Sequence, residues 1–203
     1  LSREKSGLVP STQWKIKNRK QPWLLGETIS ASIGQGYNLV TPLQQANMIA
    51  SVANGGMLLK PYLVKRIEEP GGKAIKEFFP EIRERIAGNS KNFELIRKAL
   101  RDVVNGTKGT GKKSRLQDII VSGKTGTVQV VRMKSDDEQD EENETPYKYR
   151  DHAWFVAFAP YKKPEVAVAV LVEHGGHGGA TAAPIAKKIF KKYFELYPPN
   201  SST

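Results

Sequence analysis

The sequence predicts a mixed fold of the α/β, more narrowly α+β, kind: an antiparallel sheet with helices laid against it. Three observations carry this reading. Two apolar runs, Ala153 to Ala159 and Val166 to Val172, mark buried strands over His152 to Ala159 and Val166 to Val172, and the turn Pro160-Tyr-Lys-Lys-Pro164 joins them as in an antiparallel pair. A third strand-like stretch, Ser122 to Val131, comes before them, with apolar Ile119, Ile120 and Val121 leading into it. After them a glycine-rich link, Gly175 to Gly179, enters a helical pattern from about Ala182 to Leu196. Strand, strand, strand, helix is the order of a sheet with a helix covering one face.

Ahead of this half, Leu1 to Asn38 is rich in Gly, Pro, Ser and charge. It reads as an irregular segment pinned by Trp14 and Trp23. A helix then begins at Thr41, a good N-cap, with Pro42 at the first helical position, where a missing N–H costs nothing. Leu43, Ala46, Ile49, Ala50 and Ala53 give it an apolar face, and Asn54-Gly55-Gly56 ends it. Leu58 to Ile67 reads as a strand, turned by Pro70-Gly71-Gly72 into a partner around Ala74 to Phe79. A second amphipathic helix spans about Asn92 to Val104 and stops at Gly106, with Ser90 as its natural N-cap.

The chain has 203 residues, enough for one packed core with an accessory segment. No apolar run approaches the length of a membrane-spanning helix, and no charged leader followed by an apolar stretch opens it. The expectation is therefore either a cytosolic protein or a piece of a longer secreted or anchored one. The absence of cysteine rules out disulfides and thiolate chemistry. Net charge is +11, yet residues 135–144 hold seven acids and no base, so the rest carries +18. That acidic stretch is too polar to pack, and a mobile loop is expected over 135–146. The basic residues are scattered, apart from Lys187, Lys188, Lys191 and Lys192, which favours a solvated surface over an anionic partner. A nucleic-acid binder would have to bind without any recognisable motif, and no nucleic-acid partner is expected.

The residues most suited to chemistry lie in Ser122-Gly-Lys-Thr-Gly-Thr-Val-Gln129. Strand interiors avoid glycine unless a ligand or another backbone comes close. Here Gly123 and Gly126 flank a lysine and two threonines. A cation, hydroxyl donors and accessible backbone N–H groups suit an extended substrate that bears a carboxylate, laid along a strand edge.

Several segments agree, in order, with one family. Ile33-Gly-Gln-Gly-Tyr-Asn-Leu-Val-Thr-Pro-Leu-Gln44, Ala53-Asn-Gly-Gly56, the Lys124-Thr-Gly-Thr127 stretch and Trp154-Phe-Val-Ala-Phe-Ala-Pro160 resemble class B penicillin-binding proteins. Glu173-His-Gly-Gly-His-Gly-Gly179 and Ala182-Ala-Pro184 point to the elongation-specific branch. The resemblance runs over nearly the whole chain, 1–203, as the carboxyl-terminal part of the transpeptidase domain, and leaves out the acidic insert and the last residues. It implies a partial domain of the serine β-lactamase and transpeptidase fold. It also implies a peptidoglycan D,D-transpeptidase, a serine acyltransferase that cross-links stem peptides in cell-wall elongation, hence cell shape, and is acylated by β-lactam antibiotics.

That resemblance also implies roles for individual residues. Lys124 and Thr127 would belong to the catalytic machinery, Lys124 by raising the positive potential and Thr127 by pointing its backbone N–H into the oxyanion hole. Lys124, Thr125, Gly126 and Thr127 would bind substrate, the two hydroxyls facing the terminal carboxylate and Gly126 keeping the strand flat. No cofactor and no metal are implied. Implied partners are stem peptides, β-lactams, a glycosyltransferase and other proteins of the elongation complex. The implied location is the bacterial inner membrane, single-pass, with this domain in the periplasm and the anchor outside this chain.

The family's nucleophile motif, Ser-x-x-Lys, is spelled by Ser2-Arg-Glu-Lys5, and its Ser-x-Asn by Ser90-Lys-Asn92. Neither fits. Gly7 and Pro10 come after the first where a buried helix is needed, and the second opens a helix. The nucleophile is expected upstream of Leu1, and this stretch alone is expected to be inactive. The alternative is a non-catalytic module that recognises penicillin or peptidoglycan. Gly106-Thr-Lys-Gly-Thr-Gly-Lys-Lys113 is one residue from a phosphate-cradling loop but has Lys113 where Ser or Thr must hold magnesium. His174 and His177 beside Glu173 lack a third ligand at suitable spacing and read as a turn. Tyr147, Tyr149 and Trp154 either border the groove or simply pack the strands.

Overall fold

The computed structural model describes residues 3–130 and 146–199. Leu1, Ser2 and nearly all of the expected acidic loop at 135–146 lie outside the described residues. The stretch expected to be irregular holds two short helices, α1 (Thr12–Arg19) and α2 (Leu25–Ser32). Ser11 caps α1 by accepting from the Trp14 amide at 3.1 Å, and Lys20, at φ 57°, closes it in the left-handed region. Two turns each are too short to show an apolar period, so the sequence does not announce them. The tryptophans do act as anchors. Trp14 packs on Tyr37 with centroids 5.2 Å apart, and Trp23 Nε1 donates to Thr28 Oγ1 at 2.8 Å.

Helix α3 (Pro42–Ala53) starts and stops where expected. Thr41 accepts from the Gln44 amide while the Gln44 side chain accepts from the Thr41 amide, a reciprocal cap worth about 1 kcal/mol. The next segment departs from expectation. In place of one strand over 58–67 there are two antiparallel ribbons: β1 (Met57–Leu59) pairs with β4 (Ile82–Arg85), and β2 (Arg66–Glu68) pairs with β3 (Ala74–Glu77). Pro61 has no N–H to give a ladder, and β4, fully exposed, shows no alternation that could reveal it. The turn at Pro70-Gly71-Gly72 is as expected, with Gly72 at φ 82°.

Helix α4 (Ser90–Asn105) is capped by Asn89, whose Oδ1 accepts from the Lys91 amide at 2.9 Å. Ser90 is thus the first helical residue and not the cap; Asn89, with its short acceptor one residue earlier, takes that place.

The three remaining strands form one antiparallel sheet in the order β5 (Ser122–Val128), β6 (His152–Ala159), β7 (Val166–Val172). β5 stops at Val128, before the expected Val131. The other two have the expected bounds, as has α5 (Ala182–Leu196). Alternation along β6 splits the core in two. Ala153, Phe155, Ala157 and Ala159 join Val168, Val170 and the α5 residues Ala182, Ala183, Ala186, Phe190 and Phe194. Phe158 on the opposite face meets Ile49 and Ala53 of α3, with Val156 beside them. Each fully buried phenylalanine stabilises by roughly 1.5–3 kcal/mol, so the sheet, clamped between α5 and α3, carries the packed core of the described residues.

Candidate active site

β5 pairs only with β6, so its other edge is open within the described sheet. Which groups face that edge is fixed by three hydrogen bonds. The Val121 carbonyl accepts from Asn105 Nδ2 at 2.8 Å, the Thr125 carbonyl from Lys124 Nζ at 2.7 Å, and the Thr127 carbonyl from Gln35 Nε2 at 2.9 Å. In an antiparallel strand the N–H and C=O of one residue point to the same side. The amides of Thr125 and Thr127 therefore lie on the open edge as well.

Side chains divide differently. Thr125 and Thr127 stand opposite Phe155 and Ala153 on the face toward α5, whereas Lys124 stands opposite Val156 on the face toward α3. Cation and hydroxyls thus start from opposite faces. The exposed Lys124 side chain bends back to the edge, bringing its ammonium to the Thr125 carbonyl. Gly126 lies opposite Trp154, and a Cβ there would come 3.2 Å from the Trp154 Cβ.

The link before α5 packs against this strand. A Cβ on Gly178 would fall 2.2 Å from the Trp154 carbonyl and 2.4 Å from that of Gly126. Only glycine allows so close an approach. Just before this link His174 sits in the left-handed region at φ 54°, its amide donating to His152 Nδ1 at 2.9 Å and its ring edge-on to His152 at 4.7 Å. Tyr147 packs on His174 at 5.2 Å. His174 thus belongs to a turn, and among the described residues no group of three His, Cys, Asp or Glu is placed to hold a metal.

Gln35 is a site residue that the sequence does not single out. It is presented by a tight loop whose glycines, Gly34 and Gly36, have φ 79° and 73°. Asn38 Nδ2 clamps that loop by donating to the carbonyls of Gln35 and Ala31 at 2.9 and 3.2 Å. Behind it, the buried Lys15 of α1 pairs with Glu27 of α2 at 2.5 Å. The Lys15 ammonium and the Leu24 amide hold the Glu27 carboxyl below the usual range, against a smaller opposing effect of burial. Gln35 meets Thr127 across 92 residues, a distance no local pattern reveals. Ser90, the serine of Ser-x-Asn spelling, lines a different cavity of about 340 Å³ with Gly55, Phe93, Glu94, Arg97 and Tyr161. Ser2, the serine of the Ser-x-x-Lys spelling, lies outside the described residues.

Comparison with known proteins agrees with this architecture. Residues 1–191 match the family model of the penicillin-binding protein transpeptidase domain. The chain is 37% identical over 204 residues to the peptidoglycan D,D-transpeptidase MrdA of Salmonella typhimurium, covering 96% of this chain and 31% of that protein. It is 39% identical over 192 residues to MrdA of Acinetobacter baumannii, covering 94% and 28%. Among solved structures, penicillin-binding protein 2 of Pseudomonas aeruginosa, in complex with WCK 5153, superposes with TM-score 0.76 at 34% identity, over 100% of this chain and 41% of that one. Penicillin-binding protein 2 of Helicobacter pylori, in complex with MreC, gives TM-score 0.76 at 30% identity, over 97% and 32%. The chain thus spans about a third of the curated relatives it matches. With the family model matched over residues 1–191 and the fold shared with these structures, this chain belongs to the penicillin-binding protein transpeptidase domain family, and its likeness is to the penicillin-binding protein 2 members.

Proposed function

We propose that this chain is the substrate-docking part of a peptidoglycan D,D-transpeptidase acting in cell elongation, acylated by β-lactams through a serine upstream of Leu1. The observation that supports this most directly is the open edge of β5, which carries the Thr127 amide and the Lys124 ammonium together. A C-terminal carboxylate is attracted by the cation and by the Thr125 and Thr127 hydroxyls. The Thr127 N–H is a preorganised donor for the oxyanion that develops as a D-alanyl carbonyl is attacked. No reorganisation is needed when that charge forms, because the strand is already held by β6.

The wider reading comes from the relatives. Proteins named peptidoglycan D,D-transpeptidase support the reaction class, and the Helicobacter pylori complex with MreC supports an elongation-complex partner here. A periplasmic position, tethered by a single inner-membrane span outside this stretch, and a partner glycosyltransferase belong to the same reading. Labelling with fluorescent penicillin tests it. This chain alone should stay unlabelled, and the longer parent protein should label at a serine upstream of Leu1. Lys124→Ala in the parent should slow acylation roughly a hundredfold, the scale of removing one such stabilising group. Covalent label on Ser2, or acylation indifferent to Lys124, would refute the assignment; a parent that binds penicillin without acylation would leave the non-catalytic module standing.

A further inference from the structure

The segment Gly106–Lys113, so close in spelling to a phosphate loop, does not lead from a strand into a helix. It comes after α4 and turns through a short 3-10 stretch, Lys112–Ser114, toward β5. Its position gives it a different use. Thr110 Oγ1 lies 3.0 Å from Thr125 Oγ1. Thr110 is exposed and Thr125 half-buried, so the hydroxyl pair opens to solvent beside the docking strand.

The loop that carries Thr110 is tightly held. The Gly111 amide donates to the Val103 carbonyl at 2.9 Å and the Gly109 amide to the Gly106 carbonyl at 3.2 Å. A Cβ on Gly109 would come 2.2 Å from the Val103 carbonyl, and one on Gly111 would come 3.1 Å from the Phe155 ring. From the other side Gly179 packs against the Thr110 carbonyl, where a Cβ would sit at 2.5 Å. Thr110 is thus fixed between the end of α4 and the link into α5.

We propose that Thr110 is a positioning residue for recognition of a substrate's terminal carboxylate, acting through Thr125. The proposal rests on reading β5 as the docking edge. Each threonine hydroxyl has one proton to donate and two lone pairs. In the pair, one proton closes the bond between the two oxygens and one remains. A carboxylate accepts and cannot donate, so it selects the arrangement in which Thr110 donates to Thr125 Oγ1 and the Thr125 proton faces the ligand. The bond received by Thr125 also polarises the one it gives. Lys108, exposed on the same loop, adds positive charge on that side. A C-terminal amide gains less, because its NH₂ group needs an acceptor where the relay offers a proton.

The test is a titration of the full chain, followed by NMR, with diacetyl-L-Lys-D-Ala-D-Ala and with its C-terminal amide. Wild type should prefer the acid. Thr110→Val, which keeps the branched shape and removes the hydroxyl, should lower acid affinity roughly three- to tenfold, the scale of one hydrogen bond, and leave amide affinity unchanged. Thr110→Ser should restore the preference. Full retention of the preference in Thr110→Val, with wild type discriminating normally, overturns the role of Thr110 alone. Equal loss of acid and amide binding reduces Thr110 to a structural support and overturns it too. Wild type that binds neither peptide sinks the docking reading of β5 itself, and this proposal with it.

Discussion

The central sheet and the two ribbons between α3 and α4 are built from the same antiparallel pairing and differ in what covers them. In β6, Ala153, Phe155, Ala157, Phe158 and Ala159 have no exposed surface. In β2, β3 and β4 every residue is exposed. The ribbons hold through the Pro70–Gly72 turn and solvent-exposed ion pairs such as Lys60–Glu81 at 2.9 Å and Arg66–Glu77 at 3.7 Å. Pairs of that kind contribute little, and a lone two-stranded ribbon is marginal in water. Hydrogen-bond ladders alone therefore do not anchor this fold. Packing on both faces of β6 does, and β5 inherits its precision from that neighbour.

The largest effect should come from the covered side. Phe155→Ala removes a ring buried between α5 and the 106–113 loop and should cost about 3–5 kcal/mol in urea denaturation. Gly178→Ala should come next at about 1–3 kcal/mol, since its Cβ must displace backbone and not a pliant side chain. On the function proposed above, that variant should also slow penicillin acylation, because the link would lift from β5. Acylation unchanged despite lost stability would show that the link supports the fold and not the edge. A third effect depends on pH. With its folded carboxyl held low, Glu27 contributes stability that is present above its unfolded pKa and lost as pH falls through the folded one. Glu27→Gln should therefore be less stable than wild type at neutral pH and converge with it in acid; parallel stability curves would contradict the pairing with Lys15. Smallest of all, Ile75→Ala in β3, 63% exposed, should change stability by less than about 0.5 kcal/mol. A loss near that of Phe155→Ala would erase the contrast between the regions.

Legibility in the sequence divides along the same line. β6, β7 and α5 have the bounds expected from the sequence, and Thr41-Pro42 with Asn54-Gly55-Gly56 marks both ends of α3. Burial writes itself into residue choice there. β4, as Ile-Arg-Glu-Arg, buries nothing and leaves no trace, and α1 and α2 are too short for a period to emerge. Within the candidate site, the Lys124-Thr-Gly-Thr127 stretch is readable because glycine in a strand is conspicuous. Its companions are not. Gln35 reaches Thr127 through a single long-range bond, and Thr110 sits in a motif whose spelling suggests another ligand altogether. Such partners are chosen by the fold's geometry and leave no spacing to detect. The division of Lys124 and the threonines between two faces is hidden as well, although strand alternation requires it.

An uncovered β edge is a hazard as well as an opportunity, because a second copy of the molecule can add itself there. The carboxamide of Gln35 on the Thr127 carbonyl interrupts that template, and the Lys124 ammonium on the Thr125 carbonyl, two residues away, charges it. A carbonyl that already accepts a bond offers a second strand less of a ladder, so this edge is a poorer template for self-pairing than an unguarded one.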